Sequence, residues 1–285
     1  MASLRTIRRR IRSVQSISKI TRAMEMIAAL RMKRAQERGL AGRAYADKIT
    51  QVIADLAALA HPDAPLHPLL QHRPIKNTIV VHITPNRGLC GGLVGNINRR
   101  TAGFALEQKT PVSLITVGRK GADYMRRYGQ KILAEFTDLT DNPSQMDTLA
   151  ISKIVIDEYT NGNADAVYIA YTQFINTMVQ KPVLLPILPV KPAELPPMEN
   201  VDYLYEPTAP IVLGGLLPRF IEMQVYHTIL ESIASEQSAR MVAMRAATDN
   251  ANELTTDLTL LYNKVRQESI TKELLDITGG AAALA

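Results

Sequence analysis

The chain has 285 residues, 46% of them hydrophobic and 21% charged, which is enough to bury a core in one large domain or two smaller ones. No apolar run approaches the roughly 18 residues of a membrane-spanning helix. The single cysteine, Cys90, excludes an internal disulfide and suits a reducing compartment.

The net charge of +6 is unevenly placed. Residues 1–38 hold eleven Lys or Arg against Glu25 and Glu37, a balance of +9, so the remaining residues carry 22 basic and 25 acidic groups, a balance of −3. This N-terminal segment, "MASLRTIRRRIRSVQSISKITRAMEMIAALRMKRA", permits several readings: a transit peptide, a nucleic-acid arm, a membrane-surface helix, or a long helix with a solvated basic face. No aromatic residue occurs before Tyr45, which argues against stacking on single-stranded nucleic acid. Ser3 is a good N-cap, and Pro62, Pro65 and Pro68 forbid continuation, so one helix is expected to about Ala60, roughly 85 Å long. Its apolar residues, Leu4, Ile7, Ile11, Val14, Ile17, Ile20, Met24 and Ile27, follow coiled-coil spacing but slip by one residue near Ser16. Gly39 and Gly42 weaken the helix.

A Pro-rich linker is expected over 61–74. It holds His61, His67 and His72 near Asp63, where a solvated linker is favoured over a metal site. Over 75–195, "NTIVVHIT", "PVSLITVG", "KILAEFTD" and "ADAVYIAYTQF" read as strands, with helical stretches near 93–109, 119–128 and 144–160 between them. This alternation predicts a Rossmann-like α/β domain with a mainly parallel sheet. The run "PVLLPILPVKPAELPPMEN" reads as an edge strand followed by a connector over 196–213. The turn "NRGLCGGLVGN" has a phosphate loop's setting, but Cys90 stands where a dinucleotide fold needs glycine, and no acidic residue closes the second strand. No cofactor, metal or catalytic residue is therefore expected. Gly214, Gly215 and Pro218 mark the start of a second long helix over 214–285, and Gly279 and Gly280 its stop. Its later half is striped by Leu254, Leu258, Leu261, Val265 and Leu275. The two terminal helices predict an antiparallel coiled coil.

The N-terminal segment, the "RGLCGG" turn and the C-terminal "ESIASEQSARMVAMRAATDNANEL…LYNKVRQESITKELLDITGGAAAL" closely resemble the gamma subunit of F-type ATP synthases over the whole chain. One departure is "ITPNRGLCGG", where the family more often has Ser-Asp before Arg-Gly; a paired-cysteine regulatory insertion is also absent. The resemblance implies a non-catalytic central rotor shaft that couples proton flow to the conformational cycle of the catalytic subunits. The implied partners are the alpha and beta ring, the epsilon subunit and the c-subunit ring. Nucleic acid is not among them, and the membrane is met only through the complex, on the cytoplasmic face of a bacterial cell membrane. The N-terminal segment is then mature structure with no presequence before it. The resemblance places Met24, Gln267, Thr271 and Glu273 at partner contacts; the basic face of Arg8, Arg9, Arg10 and Arg12 exceeds what packing on a second helix needs, so Arg8 and Arg9 are expected to meet acidic loops of the ring, and Arg240 is a further expected contact. The small residues Ala234, Ser238, Ala243 and Ala246 are expected to leave shallow holes for a turning surface. The alternatives from the residues alone are a basic coiled-coil adaptor for nucleic acid or a membrane surface, and a nucleotide-dependent oxidoreductase resting only on the Gly-rich turn.

Overall fold

The structure is a computed structural model that describes residues 4–58, 67–190, 206 and 208–283; the side chains of 43, 44, 46, 47, 54–58, 209 and 280–283 lie outside the description. His61, Asp63, Ser3 and residues 196–205 of the expected connector therefore also lie outside it.

Two helices dominate, α1 (Leu4–Ala58) and α5 (Ala209–Ala283). Between them come a 3-10 turn (Pro68–Leu70), β1 (Thr78–Ile83), α2 (Leu93–Glu107), β2 (Val112–Val117), α3 (Arg119–Arg127), β3 (Lys131–Phe136), α4 (Gln145–Thr160), β4 (Ala166–Phe174) and β5 (Gln180–Leu188). The sheet order is β3-β2-β1-β4-β5, with β1 to β4 parallel and β5 antiparallel to β4. A parallel sheet is covered on both faces, so β1 is buried along its whole length and reads as a continuous apolar run around His82. β5 carries Pro182 and Pro186 and lies at the edge, where a missing N–H breaks no central ladder.

The chain divides into two compact units, Met1–Ala28 with Arg240–Ala285, and Ala29–Ala239. In the second, one sheet face packs Val81, Ile115 and Ile169 against Ile151, Val155 and Tyr159 of α4 and Leu217, Ile221 and Val225 of α5. The other face packs Val80, Leu114 and Ala170 against Ile97 of α2 and Met125 of α3. Each fully buried aliphatic side chain contributes about 1.5–3 kcal/mol. Burial explains why α5 begins at Ala209 rather than at Gly214, Gly215 or Pro218, all of which lie inside it. Leu213, Leu217 and Ile221 sink into the core, and this outweighs the hydrogen bond lost at Pro218. Nor does Gly279 end the helix, which continues to Ala283.

The small-residue stretch of α5 meets the α/β domain itself. Ala234, Ser235 and Ser238 are buried. The Ser235 hydroxyl donates to the Thr172 carbonyl at 2.9 Å, and the Ser238 hydroxyl donates to that of Thr177 at 2.8 Å. Glu231 accepts from the Phe174 N–H at 3.2 Å, and burial raises its carboxyl above the usual range. The small side chains of Ser235 and Ser238 thus accommodate the β4–β5 hairpin, which corrects the expectation of an open hole at Ser238, and Ala234 is buried as well. Ala246 alone of the four small residues is exposed.

Candidate functional site

In the first unit α1 and α5 run antiparallel. Thr21 and Thr248 share a hydrogen bond of 2.6 Å between their hydroxyls, and Ser18 donates to the Asn252 amide oxygen at 2.8 Å. The side chains turned inward on α1 are Ile7, Ile11, Val14, Ser18, Thr21, Glu25 and Ala28. On α5 they are Met244, Thr248, Ala251, Thr255, Leu258, Tyr262 and Val265. Both sets alternate intervals of four and three without interruption, the heptad rhythm of a coiled coil. The stripe does not slip at Ser16. It continues through small and polar residues, while Ile17, Ile20 and Ile27 stand beside it, 49%, 59% and 50% exposed. Leu254 and Leu261 likewise stand outside the seam, and only Leu258 and Val265 of the expected C-terminal stripe lie within it.

This gives the pair two unlike flanks. Heptad geometry in an antiparallel pair sets Ile17 across from Leu254 and Met24 across from Ala247. With Ile20 and Ile27 they form an apolar flank open to solvent. The opposite flank holds Arg8, Gln15 and Arg22 on α1 with Arg245, Asn252 and Arg266 on α5. An exposed apolar stretch of this kind marks an interaction surface. Past the level of Leu4, α5 continues alone, and Ile270, Leu274, Leu275 and Ile277 are exposed.

The seven residues expected at partner contacts all lie on α1 or α5. Arg8 and Arg9 are exposed on the N-terminal turns of α1, and Met24 is half-buried beside the seam. Gln267, Thr271 and Glu273 are exposed on the last turns of α5, where Ser269 donates to the Glu273 carboxylate at 3.2 Å. Arg240 is buried, 9% exposed, and engaged within the chain. The surface brings Met24 together with the isoleucine flank, whose role periodicity alone concealed. The signal was present in the sequence: Ser18, Thr21 and Ala28 keep the heptad that Ile17, Ile20 and Ile27 leave.

In the second unit the Gly-rich turn is a strand-to-helix connection. Leu89 has φ +65° and Gly91 φ +59°, and Cys90 is buried beneath them. Beside it lies a buried polar cluster. The His82 ring bonds Asn98 through Nε2 at 2.8 Å and Thr101 through Nδ1 at 3.0 Å. Burial lowers its pKa to about 4, partly opposed by the Asn98 bond. Gly121 is required there, because a Cβ would stand 2.7 Å from both the His82 ring and the Thr84 hydroxyl. Among the described residues no three His, Cys, Asp or Glu side chains cluster as metal ligands. His67 instead caps the 3-10 turn, accepting from the Leu69 N–H through Nδ1 at 3.3 Å.

The chain's relatives match this architecture from end to end. The family model for ATP synthase matches residues 3–284. An ATP synthase gamma chain from Dehalococcoides mccartyi is 66% identical over 285 residues, covering 100% of both chains. One from Chloroflexus aurantiacus is 47% identical, covering 100% of this chain and 99% of its own. Among solved structures, the central stalk and c-ring of the Tetrahymena thermophila mitochondrial ATP synthase contains a chain similar at 25% identity with TM-score 0.61, over 80% of this chain and 99% of that one. The Euglena gracilis mitochondrial enzyme holds one of the same fold, at 17% identity and TM-score 0.67, over 99% of this chain and 94% of that one. The antiparallel helices with a parallel-sheet domain, together with identity over the full length, place the chain in the gamma-chain family of ATP synthases.

Proposed function

We propose that this chain is the central rotor shaft of an F-type ATP synthase and that its two-flanked coiled coil is the surface that works on the ring of alpha and beta subunits. The observation that carries the reading is 66% identity to a gamma chain over the full length of both proteins. The adaptor alternative has no support among the relatives. The chain itself is non-catalytic in this reading. It acts at the membrane as a peripheral component, held there through the c-subunit ring and the epsilon subunit. No helix among the described residues is long and apolar enough to cross a membrane.

The difference between the two flanks supports this reading. A shaft with the same chemistry all round would meet every surrounding subunit alike at every angle. Here one subunit faces Ile17, Ile20, Met24 and Ile27 while another faces Arg8 and Arg22. Apolar contact favours burial, and charge favours acidic loops, so turning the shaft changes which subunit is held in which state. Arg9 extends the basic surface. Gln267, Thr271 and Glu273 offer hydrogen bonds at the tip, each contributing about 1 kcal/mol net. Arg240, 9% exposed and engaged within the chain, offers the ring little surface.

Co-expression with alpha and beta subunits tests the reading. Stoichiometric co-purification and ATP-driven rotation of a filament fixed to this chain are expected. Ile17→Asp with Ile20→Asp should leave the complex assembled but lower the torque, seen as slower rotation under load. A parent chain that never joins the two larger subunits would sink the proposal.

A further inference from the structure

β1, β2 and β3 run parallel, so the connections that follow them leave the sheet at the same end. Asn86, after β1, ties the other two together. Its amide oxygen accepts from the Arg119 N–H at 2.9 Å, and its amide nitrogen donates to the Leu139 carbonyl at 3.3 Å. Both ends of the amide are used. A carboxylate here could not replace it, because it would set an oxygen against the Leu139 carbonyl.

Leu139 belongs to the loop between β3 and α4, residues 137–144, which is held at both ends. Leu139 packs against the larger core cluster, and Pro143 is buried. The Ser144 N–H and hydroxyl both donate to the Asp147 carboxylate, at 2.7 and 2.9 Å, and close the loop onto the first turn of α4. Between these anchors Asp141 stands exposed and forms an ion pair with Arg31 of α1. Arg31 lies near the start of the second unit, which begins at Ala29. α1 meets the core of that unit at Ile49, Val52 and Ile53, and Ile49 is about 27 Å further along the helix. Apolar packing at Ile49 and Ile53 resists separation of the helix from the sheet. The ion pair lies off the helix axis, so it also resists turning of the helix about that axis. Its side chains are 44% and 51% exposed, so water replaces either partner readily and the pair alone is weak.

We propose that the β3–α4 loop is a releasable strap on α1, with Asp141 as its catch and Asn86 as the clip that fastens it to the sheet. Closed, the strap holds α1 against turning within the second unit. Twist that builds up in α1 during rotation opens it, and it closes again when the twist relaxes. A fully buried pair could not cycle in this way, because parting it would strand a charge away from water. A pair already in contact with water exchanges partners at small cost. The proposal rests on the reading of this chain as a rotor, and it names a device within the chain.

Amide hydrogen exchange of the full chain tests the strap. Arg31→Gln and Asp141→Asn should each speed exchange across 29–35 and 138–142 about two- to fivefold, the range of an exposed pair. Arg31→Asp combined with Asp141→Arg should return both segments towards the parent. Asn86→Asp should speed 138–142 and shrink the further effect of Arg31→Gln, since an unclipped strap holds less. In the complex assembled with alpha and beta subunits, the pause angles of a filament fixed to this chain should scatter more widely in Arg31→Gln than in the parent. The charge-swapped double variant should narrow them again, with the unloaded speed the same in all three. Unchanged exchange in both single variants overturns the proposal, as does a charge-swapped variant that fails to recover. Altered exchange with unaltered pause angles overturns it too, because the pair would then serve the fold alone. A parent chain that never joins the two larger subunits would instead sink the rotor reading, while the exchange result still decides whether the strap exists.

Discussion

The two units of this chain bury their interiors in opposite ways. The α/β domain packs Leu114, Ile115, Ile151, Ile169 and Tyr159 with no measurable exposure, on both faces of a five-stranded sheet. The coiled coil has one seam, whose middle is Ser18, Thr21, Glu25 and Ala28 against Met244, Thr248 and Ala251 and whose end holds Ile7, Ile11, Val14, Leu258 and Val265, while Ile17, Ile20, Ile27 and Leu254 stand outside. The domain spends its apolar residues on itself, and the coil keeps Ile17, Ile20, Ile27 and Leu254 for others. A surface that must bind and release cannot also be the surface that holds the pair together. A seam whose middle is small and polar leaves the large residues beside it available, and a partner that binds only the folded pair then contributes to its stability.

The contrast can be broken most strongly in the domain. Ile169→Ala removes a fully buried side chain from the larger core cluster and should cost about 2–5 kcal/mol in urea unfolding. A loss below 1 kcal/mol would mean that this core collapses easily and is no more tightly filled than the seam.

The next effect sharpens the comparison through pH. His82 has a pKa lowered to about 4 in the fold, chiefly by burial, against about 6.5 in an unfolded chain. The neutral ring is therefore the folded form. Its contribution is fully present above pH 6.5 and is lost as pH falls from there through 4, amounting to about 3 kcal/mol at most. The seam's hydroxyls do not titrate in this range. Urea midpoints of the domain should fall between pH 7 and pH 4.5, and His82→Gln, though less stable throughout, should lose that part of the slope. An unchanged slope in the variant would assign the acid sensitivity elsewhere.

A smaller effect is expected in the seam. Thr21→Val and Thr248→Val each remove the bond between the two hydroxyls, at about 1 kcal/mol, and leave the remaining one donating to its own helix carbonyl, that of Met244 or Ser18, while the double change should cost less than the sum of the two. A double-mutant cycle measured on the isolated chain reads the coupling directly. Strict additivity would show that the pair is not formed in solution.

The smallest effect concerns the flank. Ile20→Ala should change stability by less than about 0.5 kcal/mol, since the side chain is 59% exposed. The same change should weaken association with the alpha and beta subunits. A stability loss as large as that of Ile169→Ala would make the flank part of a core.

Much of the architecture was legible in the residues. The apolar run at Thr78–Ile83 announced a strand buried on both faces, and the alternation with α2, α3 and α4 announced a parallel sheet. The prolines of β5 announced an edge. The candidate site was legible only in part, because periodicity counts large apolar residues and the middle of the seam is built from Ser18, Thr21, Ala28, Thr248 and Ala251. A Leu or Ile beside such a seam scores as core in one dimension and is surface in three.

The sequence by itself determined what local chemistry dictates: helix, strand and turn, the basic N-terminal segment, and membership of a family through runs of residues that stand far apart in the chain. Tertiary structure alone decided where each helix spends its faces. Gly214, Gly215 and Pro218 look like a helix start, yet burial of Leu213, Leu217 and Ile221 carries α5 through them. Ser238 looks like an open hole until the β4–β5 hairpin is seen to fill it. In each case the deciding energy comes from residues far away in sequence, and local propensity, at under about 1 kcal/mol per residue for anything but proline, is too small to resist it.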